Sequence, residues 1–354
     1  MNTINSVNKH HSYMKITKEK SMNNFKKIGI SALAGSLAAI SANAAEMSVS
    51  GAAHLSYVSN DATEVAGNPY GMHTSLGFTG SGDVNGYETT LFMATGEALT
   101  GMTSASLSVD LGDMGKLTFD QGVGVGGLSA IDSVTPSAYE EVFDSLDAVT
   151  GDKNGLVGMG NNGVFVYDTT IMGNAFSLQY GKGSSTVNSD GTASGSHSGS
   201  SYDLTVQNSS MMDGLTVGAG YGKISNGGPG ATSTGGSDTD EHWTAFVKYS
   251  AGGVTVGYQE STVGDGSVGG TVENATDWAV AVNLMEGLSA SYGEREIEHA
   301  KAGSAHVTED QEGFALSYTV GSATIAVQNN EVGNNGGTAG TNDENTEIRL
   351  SLAF

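Results

Sequence analysis

The sequence predicts an all-β fold: a 16-stranded antiparallel transmembrane β-barrel. Three observations carry that prediction. Apolar residues fall at every second position in sixteen segments of about ten residues, the period of a strand with one oily and one wet face. Short connections alternate with long ones, as in a barrel with turns on one side of a membrane and loops on the other. Aromatic residues collect near both ends of the segments, where a bilayer has its two interfaces. Composition agrees, with 53 Gly, 3 Pro and no Cys among 354 residues. Each interior Gly costs a helix about 1 kcal/mol relative to Ala. Absence of Cys excludes a disulfide scaffold, a Cys-based zinc site and thiol chemistry.

The first 44 residues read differently. Lys26 and Lys27 precede the run IGISALAGSLAAI at 28–40, and Ala42-Asn43-Ala44 follows it. A positive start, a short apolar run and an A-x-A site read as a secretory signal peptide. The run is too short to span a bilayer as a helix. The expected division is therefore 1–44 as an upstream extension plus signal peptide, cleaved after Ala44, and 45–354 as a single barrel domain. Met22 sits where such a signal naturally begins, which leaves Met1, Met14 and Met22 as starts.

Charge follows from the same division. Residues 1–44 hold six Lys against Glu19, so 45–354 keep 8 of the 14 basic and 37 of the 38 acidic residues. Such a balance argues against nucleic acid, whose binding needs a basic footprint. It suits a lumen or surface that attracts cations, or plain solubility.

The strand segments run in order at 46–57, 71–81, 86–95, 103–110, 115–121, 162–169, 174–181 and 201–208, then at 214–223, 241–250, 253–261, 275–284, 287–298, 311–320, 322–330 and 344–354. Leu215, Val217, Ala219 and Tyr221 alternate with Thr216, Gly218 and Gly220, and Trp278, Val280, Val282 and Leu284 with Asp277, Ala279, Ala281 and Asn283. The connections at 81–86, 111–114, 171–173, 209–213, 251–252, 286 and 321 are tight, whereas 58–70, 122–161, 182–200, 224–240, 262–274, 299–310 and 331–343 are long and rich in Gly, Ser, Asn and Asp, with 96–102 the one short member of that set. Trp243 and Trp278 stand just after long loops, and Tyr249, Tyr318 and Phe354 stand near the turns, two aromatic levels suited to membrane interfaces.

The faces opposite the apolar ones carry Ser, Thr, Gly, Gln and occasional charges, namely Glu88, Asp120, Asp168, Arg295, Glu347 and Arg349. With the oily face toward lipid, the polar face lines a wet lumen. About eight strands fill their interior with side chains, whereas about sixteen leave an aqueous channel.

The segment from SGAAHLSY through LGFTGSGDVNGYETTLFMATGE to DLGDMGKLTFDQG resembles the opening strands of bacterial outer-membrane general porins of the alphaproteobacterial, Gram-negative type. The alternation of loop lengths and the terminal Phe354 extend the resemblance over residues 45–354. It implies a homotrimer in the cell outer membrane, among its lipids and lipopolysaccharide, passing small hydrophilic solutes and ions by passive diffusion. It also implies that the third long loop narrows the barrel, and that Phe354 is the label read by the outer-membrane assembly machinery.

That loop is 122–161. Pro136, with Ser137 three residues before Glu140, is a helix-capping arrangement, which predicts a short helix to about Leu146. Tyr139, Val142, Phe143 and Leu146 would form one apolar stripe, and Glu140, Asp144 and Asp147 one acidic stripe with Glu141 beside it. With Asp132, these acids are the expected pore constriction, or else an ordinary solvated helix face. The resemblance exposes a departure: between Ala45 and Gly115 there is no Lys or Arg to oppose the loop. His54 and His73 are the cationic candidates there, joined by Arg295 and Arg349 elsewhere on the wall. The expectation is a cation-preferring eyelet. Calcium bridging Glu140 and Asp144 is an open alternative to no cofactor at all, without any EF-hand spacing to support it.

Other chemistry finds little footing. Gly122 to Gly127 match G-x-G-x-x-G, but no βαβ unit surrounds them. The eight His show no H-x-x-x-H or H-E-x-x-H spacing, and no G-x-S-x-G elbow is present, so no enzyme is expected. The remaining alternative is an exported surface β-protein, an adhesin or glycan-binding protein without channel activity.

Overall fold

A computed structural model describes residues 46–60, 68–96, 101–132, 134–142, 162–182, 200–225, 239–264, 271–301 and 307–354. The expected signal peptide lies outside the described residues, as do Asp144 and Asp147.

Sixteen strands follow one another: β1 (Glu46–Asn60), β2 (Tyr70–Val84), β3 (Tyr87–Thr95), β4 (Met102–Asp110), β5 (Lys116–Gln121), β6 (Asn162–Ile171), β7 (Asn174–Gly181), β8 (Ser201–Asn208), β9 (Leu215–Ser225), β10 (Thr239–Ala251), β11 (Val254–Gly264), β12 (Thr271–Met285), β13 (Leu288–Lys301), β14 (Val307–Val320), β15 (Ala323–Gly333) and β16 (Asp343–Ala353). Each pairs antiparallel with its sequence neighbours, and β1 pairs with β16, so the sheet is a closed barrel without an edge. Several strands run further toward the long loops than apolar alternation predicts. β12 begins at Thr271 and β14 at Val307, because backbone pairing continues through rungs such as Glu273 opposite His299, which carry no apolar signal.

The turns that join β2 to β3 and β10 to β11 are two-residue hairpins. Asn85 and Gly86 have φ of 56° and 90°, the left-handed pair that matches the twist of the flanking strands. Asp83 Oδ1 accepts the Gly86 N–H at 2.9 Å and holds that turn.

The two faces of the sheet are reversed relative to a water-soluble protein. Leu204, Trp243, Val247, Tyr258, Trp278, Phe314, Leu316 and Leu350 are exposed. The residues alternating with them, among them Asp203, Thr205, Thr244, Gln259, Asp277, Asn330 and Glu347, are buried. Aromatic residues meet across successive ladders: Phe119 opposite Phe165, Phe165 opposite Tyr180, and Tyr180 opposite Tyr202. The row continues with Tyr221 opposite Trp243, Tyr258 opposite Trp278 and Tyr292 opposite Phe314. Trp243, Trp278, Tyr249 and Tyr318 all stand on this exposed face. At the seam, Gly51 and Phe354 exchange backbone hydrogen bonds of 2.9 and 3.1 Å.

Candidate functional site

The chain leaves β5 at Asp120, whose carboxylate is fully buried. Its two oxygens accept the backbone N–H groups of Val123 at 2.8 Å, Gly124 at 2.8 Å and Val125 at 3.0 Å. The Gly-rich run thus forms an anion-gripping concavity of successive amides. Its anion is the protein's own aspartate, so Asp120 anchors the loop and is not a charge on an open pore wall.

Beyond that anchor the segment is bound to the buried polar face strand by strand. Gly127 N donates to Ser177 Oγ on β7 at 2.9 Å, and Leu128 N to Asp203 Oδ1 on β8 at 3.2 Å. Leu128, Ile131 and Val134 cluster on Phe246 of β10, which leaves all four buried. Gly220 of β9 makes room for them, since a Cβ there would collide with Leu128. Gln259 of β11 grips the chain in both senses: Oε1 accepts Val134 N at 3.2 Å and Nε2 donates to Ile131 O at 2.8 Å. Pro136 lies over Gly257 of β11, where a Cβ would stand 2.5 Å from its ring.

The expected helix does not form over the part that is described. Residues 134–142 are irregular, and among the described residues the loop's only helical piece is a 3-10 turn at Gly127–Ala130. The wall takes the backbone groups that a helix would pair internally. Ala138 N donates to Ser291 Oγ of β13 at 2.8 Å, and Ala138 O accepts from Ser317 Oγ of β14 at 2.7 Å. Gln328 and Asn330 of β15 both donate to Glu141 O at 3.3 Å. Ser137, expected as a cap, instead accepts Tyr139 N at 3.2 Å and donates to Glu140 O.

The segment reaches β16 at Arg349. Its Nη1 lies 2.8 Å from Glu140 Oε1 and its Nε 2.9 Å from Glu347 Oε1. The guanidinium sits over the Tyr139 ring, 5.1 Å from the centroid, a cation–π contact. Burial, reinforced by Glu140 alongside, raises the Tyr139 phenol far above its ordinary value, so it stays neutral.

The other expected site residues fall in distinct places. Asp132 is half-buried at the bend and Glu141 is buried, so neither is a bare surface acid. Arg295 is 1% exposed and paired with Asp277 through both Nε and Nη2, not open on the wall. Glu88 is exposed beside the β2–β3 turn, opposite Asp83, at the end of the barrel. His54 and His73 share one rung of the β1–β2 ladder with ring centroids 5.6 Å apart. Among the described residues no group of three or more His, Asp or Glu is arranged to hold a metal ion.

Sequence reasoning missed the residues that receive the loop: Ser177, Asp203, Gln259, Ser291, Ser317, Gln328 and Asn330. Their types are ordinary for an inner strand face. The readable trace was Gly220 and Gly257, glycines at inward positions of long strands, where a backbone or bulky side chain approaches closely.

No family model and no curated protein sequence matches this chain. Solved structures do. OmpF of Salmonella typhi, in complex with daunomycin, is 16% identical over 89% of this chain and 99% of its own, with a TM-score of 0.62. The anion-selective porin of Comamonas acidovorans is 14% identical over 88% and 100%, at 0.61. OmpT of Vibrio cholerae, an outer membrane protein solved in a trimer form, is 13% identical over 88% and 100%, at 0.62. The fold is the porin barrel. At these identities the likeness speaks for the fold.

Proposed function

We propose that this chain is an outer-membrane porin, a water-filled channel for passive diffusion of small hydrophilic solutes and ions, with no catalytic activity. The observation that carries the reading is the reversed barrel with its loop: apolar and aromatic residues outside, polar residues inside, and residues 122–132 and 134–142 bound along the polar face. Bound there, the loop narrows the lumen. An exported surface protein without a channel would have no use for an exposed ring of Trp, Tyr, Phe and Leu around a closed barrel.

Cation preference belongs to the same proposal. The fold does not set the sign, since one neighbour with this fold is named an anion-selective porin. Support comes from charge: Arg349 and Arg295 are each paired with carboxylates, and residues 45–354 are strongly acidic. Calcium bridging Glu140 and Asp144 would compete with Arg349 for Glu140. Homotrimers in the outer membrane, contact with lipids and lipopolysaccharide, and recognition of Phe354 by the assembly machinery complete the reading.

Planar-bilayer recording in asymmetric KCl tests it. Stepwise conductance with a cation-selective reversal potential is expected, and silence or anion preference overturns the corresponding half. Heat-modifiable migration of detergent-extracted protein reads barrel and trimer separately from conduction.

A further inference from the structure

Of the eight His in the chain, His54 and His73 occupy adjacent positions on β1 and β2. Their rings meet edge to face at 68°, with centroids 5.6 Å apart, and both are half-buried on the inner face. A third strand fixes one ring. His54 Nδ1 lies 2.8 Å from Ser351 Oγ of β16, its partner across the seam. A proton on Nδ1, donated to that hydroxyl, leaves the lone pair on Nε2. Metal-binding imidazoles are oriented in this way, by a hydrogen bond from the nitrogen that does not bind.

The spacing suits one shared ion. Metal–nitrogen bonds of about 2.0–2.1 Å place each ring centroid roughly 3 Å from the metal, so two such rings stand at most about 6.5 Å apart. The observed 5.6 Å fits a bent nitrogen–metal–nitrogen angle. The nearby guanidinium of Arg349 is paired with two carboxylates, Glu140 at 2.8 Å and Glu347 at 2.9 Å, which offset part of its charge. A paired-imidazole site selects borderline metals over calcium and magnesium, and copper(II) over zinc(II).

We infer that His54 and His73 together bind one divalent transition-metal ion, copper(II) most tightly and zinc(II) next, with water completing the coordination. In the channel the bound ion adds positive charge and bulk beside the wall formed by β1 to β4. That consequence rests on the porin reading; the binding does not.

The test begins with the full chain folded in detergent and titrated with copper(II) chloride. Calorimetry should find an ion whose electron paramagnetic resonance spectrum shows hyperfine coupling to imidazole nitrogens. His54→Gln and His73→Gln, first scored for folding by heat-modifiable migration, should each weaken it by about tenfold or more, and Ser351→Ala by about tenfold. His10→Gln with His11→Gln, or His197→Gln, should leave that signal in place. A signal that survives His54→Gln and His73→Gln, or disappears only with His10 and His11, overturns the inference. In bilayers, zinc(II) should then lower the conductance of the wild type and not of the His54→Gln/His73→Gln variant. A chain that binds copper at this pair but never conducts defeats the porin reading alone. A conducting chain without the signal defeats the site alone.

Discussion

Two parts of the inner face differ in burial although both are polar. On β8, β11 and β15, Asp203, Gln259, Gln328 and Asn330 are 0–1% exposed. On β1 to β4, the inward Ser50, His54, His73, Ser75, Thr90 and Ser106 are half-buried. Ser and Thr serve in both places, and the covered wall adds Asn, Gln and Asp. The covered wall spends its side chains on the backbone of residues 127–132 and 134–142, because buried amides and carbonyls need partners. The other wall leaves its hydroxyls and imidazoles partly accessible to solvent. A polar inner face is therefore two surfaces: one that seats a loop, and one that stays open to the lumen.

The contrast can be broken most forcefully at Phe246, which lies under Leu128, Ile131 and Val134. Phe246→Ala should cost about 3–5 kcal/mol. Phe92→Ala, the matching aromatic truncation on the half-buried wall, should cost less than half as much. Urea titration followed by loss of the unheated gel band measures both. Next comes Asp120→Asn, which keeps the size but leaves an amide facing the N–H groups of Val123 to Val125. A loss of about 1–3 kcal/mol is expected from the unsatisfied donor, together with faster proteolysis of the loop. Arg349→Gln removes a cation and its ion pair with Glu140 while the bonds to Ala138 and Glu141 remain. The reversal potential should move toward stronger cation preference with the barrel intact. Thr90→Lys is the mildest change. It should leave stability within about 0.5 kcal/mol and weaken cation preference, which places the solute route along that wall.

Strand identity was legible because period-two alternation is a local signal and a barrel uses it in every strand. Strand ends were less so: rungs such as Glu273 opposite His299 carry no apolar contrast, yet the ladder continues through them. The loop was legible as a loop and misread inside. Pro136, Ser137 and Glu140 satisfy a helix-start pattern, but Ser291 and Ser317 compete for the backbone of Ala138. Those partners lie 153 and 179 residues away, beyond any local pattern. Asp120 was read as a pore charge for the same reason, since its role depends on three amides converging after the strand has ended. Arg295 was placed on the correct face, but its neutralisation by Asp277 required the register of β12 against β13.

The seam between β1 and β16 has a kinetic consequence. It joins residues as far apart as His54 and Ser351, separated by 297 positions. Local hairpins can form early, but the ring closes only when the first strand meets the last, the most distant pairing in the molecule. Until then two strands expose unpaired amides and carbonyls, which hydrocarbon penalises by several kcal/mol per group. A half-inserted barrel is thus the least tolerable state for a bilayer. Folding and membrane entry must finish as one event, or proceed with both edges shielded until the circle is complete.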